Sequence, residues 1–163
     1  MPNKLIIGLS ILLITQFQSV DEIIVSKQFL DQNIQVKPEL LQFPKGHFTL
    51  VKYLNSGCST CFVEMELWKD FVIKNDLSSR MDILFVVSGR DRIDIDYVFH
   101  KSEFKVSYFY DLEYKFFDDN QISANKDHQT LLLNSNGRII ERGNPVGTSS
   151  RSNKFKSLIL KSN

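Results

Sequence analysis

The sequence has almost no net charge: 20 Lys and Arg are interspersed with 19 Asp and Glu, leaving a formal +1. It therefore lacks an electrostatic footprint for nucleic acid or an anionic membrane surface, and binding to either is not expected as a main role. It has no internal repeat, low-complexity tract or linker, so it reads as one domain. Its most apolar run, Leu5 to Ile14, is too short to span a bilayer comfortably. Cysteine is nearly missing, with only Cys58 and Cys61. A chain of 163 residues buries a sizeable core without disulfides, so stability does not account for that pair.

Thirteen Phe and apolar runs that alternate with helical periodicity fit a packed α/β domain rather than a disordered chain. The first residues differ from the rest. Lys4, the apolar run and the polar segment "TQFQS" have the layout of a secretory signal peptide. Residues 1–19 are thus expected to be a signal or an uncleaved N-terminal anchor, and 20–163 the folded domain. The expected location is the periplasm or cell envelope. No cysteine stands near this segment to carry a lipid.

From Val20 to Pro44 the signals are mixed. "EIIV" fits a short strand, "QFLDQNIQV" is ambiguous, and Pro38, Pro44 and Gly46 mark turns. "HFTLVKYLN" has the β-branched and aromatic character of a buried central strand and ends at Ser56-Gly57. Beyond it Cys61, Phe62, Met65, Leu67, Trp68, Phe71 and Val72 recur mostly at three and four, predicting a helix from about Cys58 to Lys74. "MDILFVVS" is a second strand, and strand, helix, strand makes a parallel crossover the default. A helix at "RDRIDIDYVFHKSE", a strand near "VSYFYD" and helical turns in "LEYKFFDDNQI" follow. "QTLLLN" and "RIIERG" flank Asn136-Gly137, a strong hairpin signal, and "SNKFKSLILK" reads as a last helix.

This order places Cys58 at a helix N-terminus, where unpaired N–H groups and aligned peptide dipoles favour a thiolate. Cys61 stands one turn later, within reach for a disulfide. Cys58 would attack a target disulfide and Cys61 would resolve the mixed disulfide. A half zinc site and an inert structural bridge share the spacing, although a bridge closing so small a loop constrains the unfolded chain little. Lys52 reads as a strand residue snorkelling to solvent, Glu64 and Glu66 as a solvated helix face, and Trp68 as core.

"VKYLNSGCSTCFVEMELW" with "HQTLLLNSNGRIIERGNPV" resembles the thioredoxin-like fold, in particular the redoxin or TlpA-like exported thiol-disulfide oxidoreductases and small Bacteroidetes proteins of that kind. The resemblance runs from about Phe48 to the end. It implies a central mixed sheet flanked by helices, the CxxC at the start of the first main helix and catalysis by Cys58 and Cys61 without a cofactor. It also implies an exposed first cysteine and a partner protein that supplies or receives electrons. The expected partners are exported proteins with disulfides and a membrane or periplasmic electron donor, and the expected state is a monomer. Two positions depart from the pattern. Where the TlpA-like branch has a cis-proline facing the cysteines, His128 stands, or Gln129 in a register one shorter; where thioredoxin has a buried acid six residues before the first cysteine, Lys52 stands.

These departures define the alternatives. Cys58, Cys61 and His128 would make a two-sulfur, one-nitrogen set for copper or zinc, similar to the Sco-type copper chaperones of the same fold, although those carry CxxxC. A thioredoxin-fold domain that binds a partner without turnover is a third reading. Peroxidase chemistry is disfavoured, because peroxiredoxins carry Thr three positions before the reactive cysteine and Asn55 stands there.

Overall fold

A computed structural model describes residues 22–33, 47–89, 91–101 and 107–161. The expected signal segment lies outside them. Five strands form one mixed sheet in the order β3-β2-β1-β4-β5. The element order is α1 Lys27–Asp31, β1 Phe48–Asn55, α2 Ser59–Lys74, β2 Met81–Ser88, α3 Arg92–Lys101, β3 Ser107–Tyr110, α4 Lys115–Asp119, β4 Thr130–Leu133, β5 Ile139–Arg142 and α5 Ser149–Lys161. β1 runs parallel to β2, and β2 to β3, as the strand, helix, strand pattern predicts. β4 is antiparallel to β1 and to β5, closing the expected hairpin, whose Gly137 takes φ 77°, a conformation that glycine reaches without strain.

Both faces of the sheet are covered, and alternation along each strand divides the core. Val51, Tyr53, Leu84, Val86, Phe109, Leu131 and Leu133 face one way and pack with Phe29 of α1 and Phe116 of α4. Leu50, Leu54, Phe85, Val87 and Leu132 face the other way, against α2, α3 and α5. α2 seats Cys61, Met65, Trp68 and Val72 on that face at steps of four, three and four. Burying side chains of that size stabilises by about 1.5–3 kcal/mol each, which holds the helix start in register with β1. Leu67, included in the apolar spacing, is half exposed instead.

Among the described residues before β1, the chain packs on the sheet but forms no strand. Glu22 makes a lone antiparallel bridge to Arg138, and Ile23 N donates to Gly137 O at 3.0 Å. The Asn120 side chain accepts from Ile24 N and donates to Ile24 O, doing locally what a neighbouring strand would do. The ambiguous "QFLDQNIQV" supplies α1 and Asn33, whose amide joins Phe29 O and Tyr110 O. No helix among the described residues is long and apolar enough to cross a membrane.

Candidate functional site

β1 ends at Asn55, and the chain reverses there within three residues. The Asn55 side chain accepts from Gly57 N at 2.8 Å and its carbonyl from Cys58 N at 2.9 Å, while Ser56 N donates to Ser88 O at the end of β2. Gly89 follows directly. A Cβ there would lie 2.0 Å from Ser56 Oγ, so only glycine lets β2 approach this turn so closely. Cys58 then stands at the N-cap of α2 in extended conformation, and Cys61 N donates to Cys58 O at 3.0 Å.

Cys58 and Cys61 are joined as a disulfide, Cα to Cα 5.4 Å. Cys58 is partly exposed and Cys61 is 5% exposed, packed with Met65, Leu54 and Phe85. The first turn of α2 holds no acidic residue, so no carboxylate offsets the positive end of the helix beside Cys58.

The loop entering β4 brings a cation to the exposed sulfur, from a residue that spacing did not single out. Lys126 Nζ lies 3.0 Å from Cys58 Sγ and 3.5 Å from Thr60 Oγ1, and Thr60 Oγ1 lies 3.3 Å from the same sulfur. Lys126 opens a 3₁₀ turn, Lys126–His128, that Asn125 caps by accepting from Asp127 N at 3.0 Å. Arg151 of α5 pairs with Asp127 at 3.3 Å. His128 ends the turn with an exposed side chain, and Gln129 is the residue directly before β4. Every peptide bond among the described residues is trans.

Two readings of charged residues need correction. Lys52 does not snorkel: it is 1% exposed, on the face of β1 between Leu50 and Leu54 that packs against α2. Its ammonium meets the Glu64 carboxylate at 3.2 Å, and Glu64 is accordingly no solvated residue but 27% exposed by side chain, one turn beyond Cys61. Glu66 does remain exposed, paired with Lys69. Burial pushes the Lys52 pKa below its usual value; Glu64, and more weakly Asp127, act against that shift, and Lys126 adds to it. The sequence carried a signal for this pair. A lysine within a run buried on both faces requires a carboxylate, and Glu64 stands three residues after Cys61 on the same helix face.

The residues proposed for a metal do not come together as a ligand set. Among the described residues no group of three His, Cys, Asp or Glu is placed to hold a metal ion. The β4 loop offers Cys58 an ammonium rather than the His128 imidazole, and a cation bound there would meet that charge.

No family model matches the chain, and no curated protein does. Solved structures do. A thiol-disulfide oxidoreductase from Bacteroides fragilis superimposes with TM-score 0.58 at 16% identity, over 70% of this chain and 82% of the other. The thioredoxin domain of a thiol-disulfide oxidoreductase from Bacteroides vulgatus does so with TM-score 0.52 at 20% identity, over 71% and 81%. A secreted disulfide oxidoreductase from Mycobacterium tuberculosis gives 0.52 at 10% identity, over 71% and 82%. The chain thus has the thioredoxin-like fold.

Proposed function

We propose that this protein is a thiol-disulfide oxidoreductase that exchanges disulfides with exported proteins through Cys58 and Cys61. The observation that carries the reading is the asymmetric pair at the start of α2, a partly exposed Cys58 at the helix cap joined to a buried Cys61. The oxidoreductases that share the fold support it.

In the reduced protein the Cys58 thiolate attacks one sulfur of a target disulfide. A Cys58–target bond forms, and the electron pair of the broken bond leaves on the target's second sulfur, which takes up a proton. Cys61 then loses its proton and attacks Cys58 Sγ, restoring the internal disulfide and releasing the target's first sulfur. The released sulfur takes up a proton as well, so two electrons and two protons reach the target in all. One proton is that of Cys61, and the other is supplied by solvent because Cys58 enters as the thiolate. Glu64, one turn beyond Cys61, is the nearest carboxylate along the helix to take the Cys61 proton, with Lys52 holding its charge.

Cys58→Ser is expected to abolish transfer to a disulfide-bonded protein substrate, and Cys61→Ser to accumulate a mixed disulfide that resists dilution but not dithiothreitol. Retention of activity by both variants would sink the reading. Export, a monomeric state and an electron donor in the membrane or periplasm belong to the same proposal, and the secreted protein of the same fold supports the first. Copper binding is separated by titrating Cu(I) into the reduced protein: stoichiometric uptake that His128→Ala lowers would favour the chaperone reading over this one.

A further inference from the structure

The ammonium that meets Cys58 comes from a loop sixty-eight residues away in sequence, and its position is secured from three sides. Asn125 caps the turn, Arg151 anchors the neighbouring Asp127, and Thr60 on the first turn of α2 shares the Lys126 ammonium with the sulfur. Other charges around the disulfide are engaged elsewhere. Asp127 is paired with Arg151, and Lys52 and Glu64 with each other; His128 is exposed at the end of the same turn. No carboxylate is bonded to Lys126 among the described residues, so its charge is left to the sulfur.

We propose that Lys126 is a catalytic residue that sets the reactivity of Cys58, holding its sulfur as a thiolate once the disulfide is reduced. The contact is with a neutral disulfide sulfur in the oxidised protein and with an anion in the reduced one. Only the second is a full charge–charge interaction, so the lysine stabilises the reduced form more than the oxidised form. Two effects follow. Cys58 stays deprotonated, hence nucleophilic, to lower pH than the helix terminus alone allows. The pair also becomes easier to reduce, as in other CxxC proteins whose reduced thiolate is stabilised. This inference rests on the reading of the pair as a working dithiol.

The test uses the Cys61→Ser protein, which has one thiol and needs no exchange activity. Iodoacetamide alkylation of Cys58 is followed against pH with Lys, Met or Arg at position 126. Lys126→Met is expected to raise the midpoint by about one unit, the low end for an opposite charge in contact because the site is open to water. Lys126→Arg restores it, and the Lys and Met profiles converge in ~1 M salt, where charges are screened within about 3 Å. In the two-cysteine protein, equilibrium with glutathione shifts up to about tenfold toward the disulfide on Lys126→Met, equivalent to ~30 mV for a two-electron couple. An unchanged midpoint in Lys126→Met, or a shift in Lys126→Arg as large as in Met, overturns the proposal. If the midpoint follows the charge at 126 while no protein disulfide is exchanged, the proposed activity falls and the role of Lys126 stands; exchange with a midpoint indifferent to 126 gives the reverse.

Discussion

Lys52 and Lys126 flank the same two cysteines and have nothing else in common. Lys52 is sealed between β1 and α2 on the Cys61 side, where loss of hydration dominates and a single carboxylate holds the charge. Lys126 stands in solvent on the Cys58 side, where hydration is kept and the sulfur is its close partner. An identical side chain is thus a structural element in one place and a chemical one in the other. The difference lies in how much water each retains, since a buried charge without its partner costs several kcal/mol and an exposed one costs little.

The largest effect should come from breaking the buried pair on the carboxylate side. Glu64→Ala leaves the Lys52 ammonium sealed without a partner, and urea unfolding of the oxidised protein should show a loss of about 3 kcal/mol, the low end for such pairs because Glu64 is partly wetted. Removing both charges, as Lys52→Met with Glu64→Gln, should recover most of it. A Glu64→Ala protein as stable as the parent would mean that Lys52 reaches water by another route.

Alkaline pH gives a smaller effect with a definite sign. Because Lys52 has a depressed pKa in the folded state, the unfolded chain binds more protons between that value and the ordinary 10.5. Its burial penalty is full below this window and is relieved as pH rises through it, so stability relative to Lys52→Met should increase there. The tyrosines act in the opposite direction. Burial, aided by the Asp96 carboxylate, pushes Tyr108 up to about 12, and burial raises Tyr53 and Tyr110 as well, so they oppose stability once the unfolded chain begins to lose phenolic protons near 10. The difference between parent and Lys52→Met cancels the tyrosine contribution. A flat difference across the window would contradict the burial of Lys52.

The smallest effect on folding should be that of Lys126→Met, within about 0.5 kcal/mol, as for other solvent-exposed substitutions. A large loss would make Lys126 a structural residue like Lys52 and erase the contrast between them.

Most of the fold was legible because strand and helix patterns are local. "MDILFVVS" coincides with β2, the Cys58 cap lies where the strand–turn–helix pattern puts it, and Asn136-Gly137 turns the hairpin. The environment of the cysteines was less legible, because it depends on which side chains meet across elements. Lys52 reads as exposed until α2 is laid over β1 and Glu64 faces it. Counting from the hairpin singled out His128, yet the tight turn of Lys126–His128 carries the first of its residues, not the last, to the sulfur. Spacing along a chain fixes a register to within a residue or two, and in a 3₁₀ turn that is enough to exchange an imidazole for an ammonium.

Gly89 directly follows β2, a strand that contributes no side chain to the disulfide, yet it leaves room for Ser56 in the turn that leads to Cys58. A methyl group there has no space to occupy unless Ser56 shifts. The turn before the two cysteines is therefore shaped partly from outside the CxxC motif, by a missing side chain just past the end of β2.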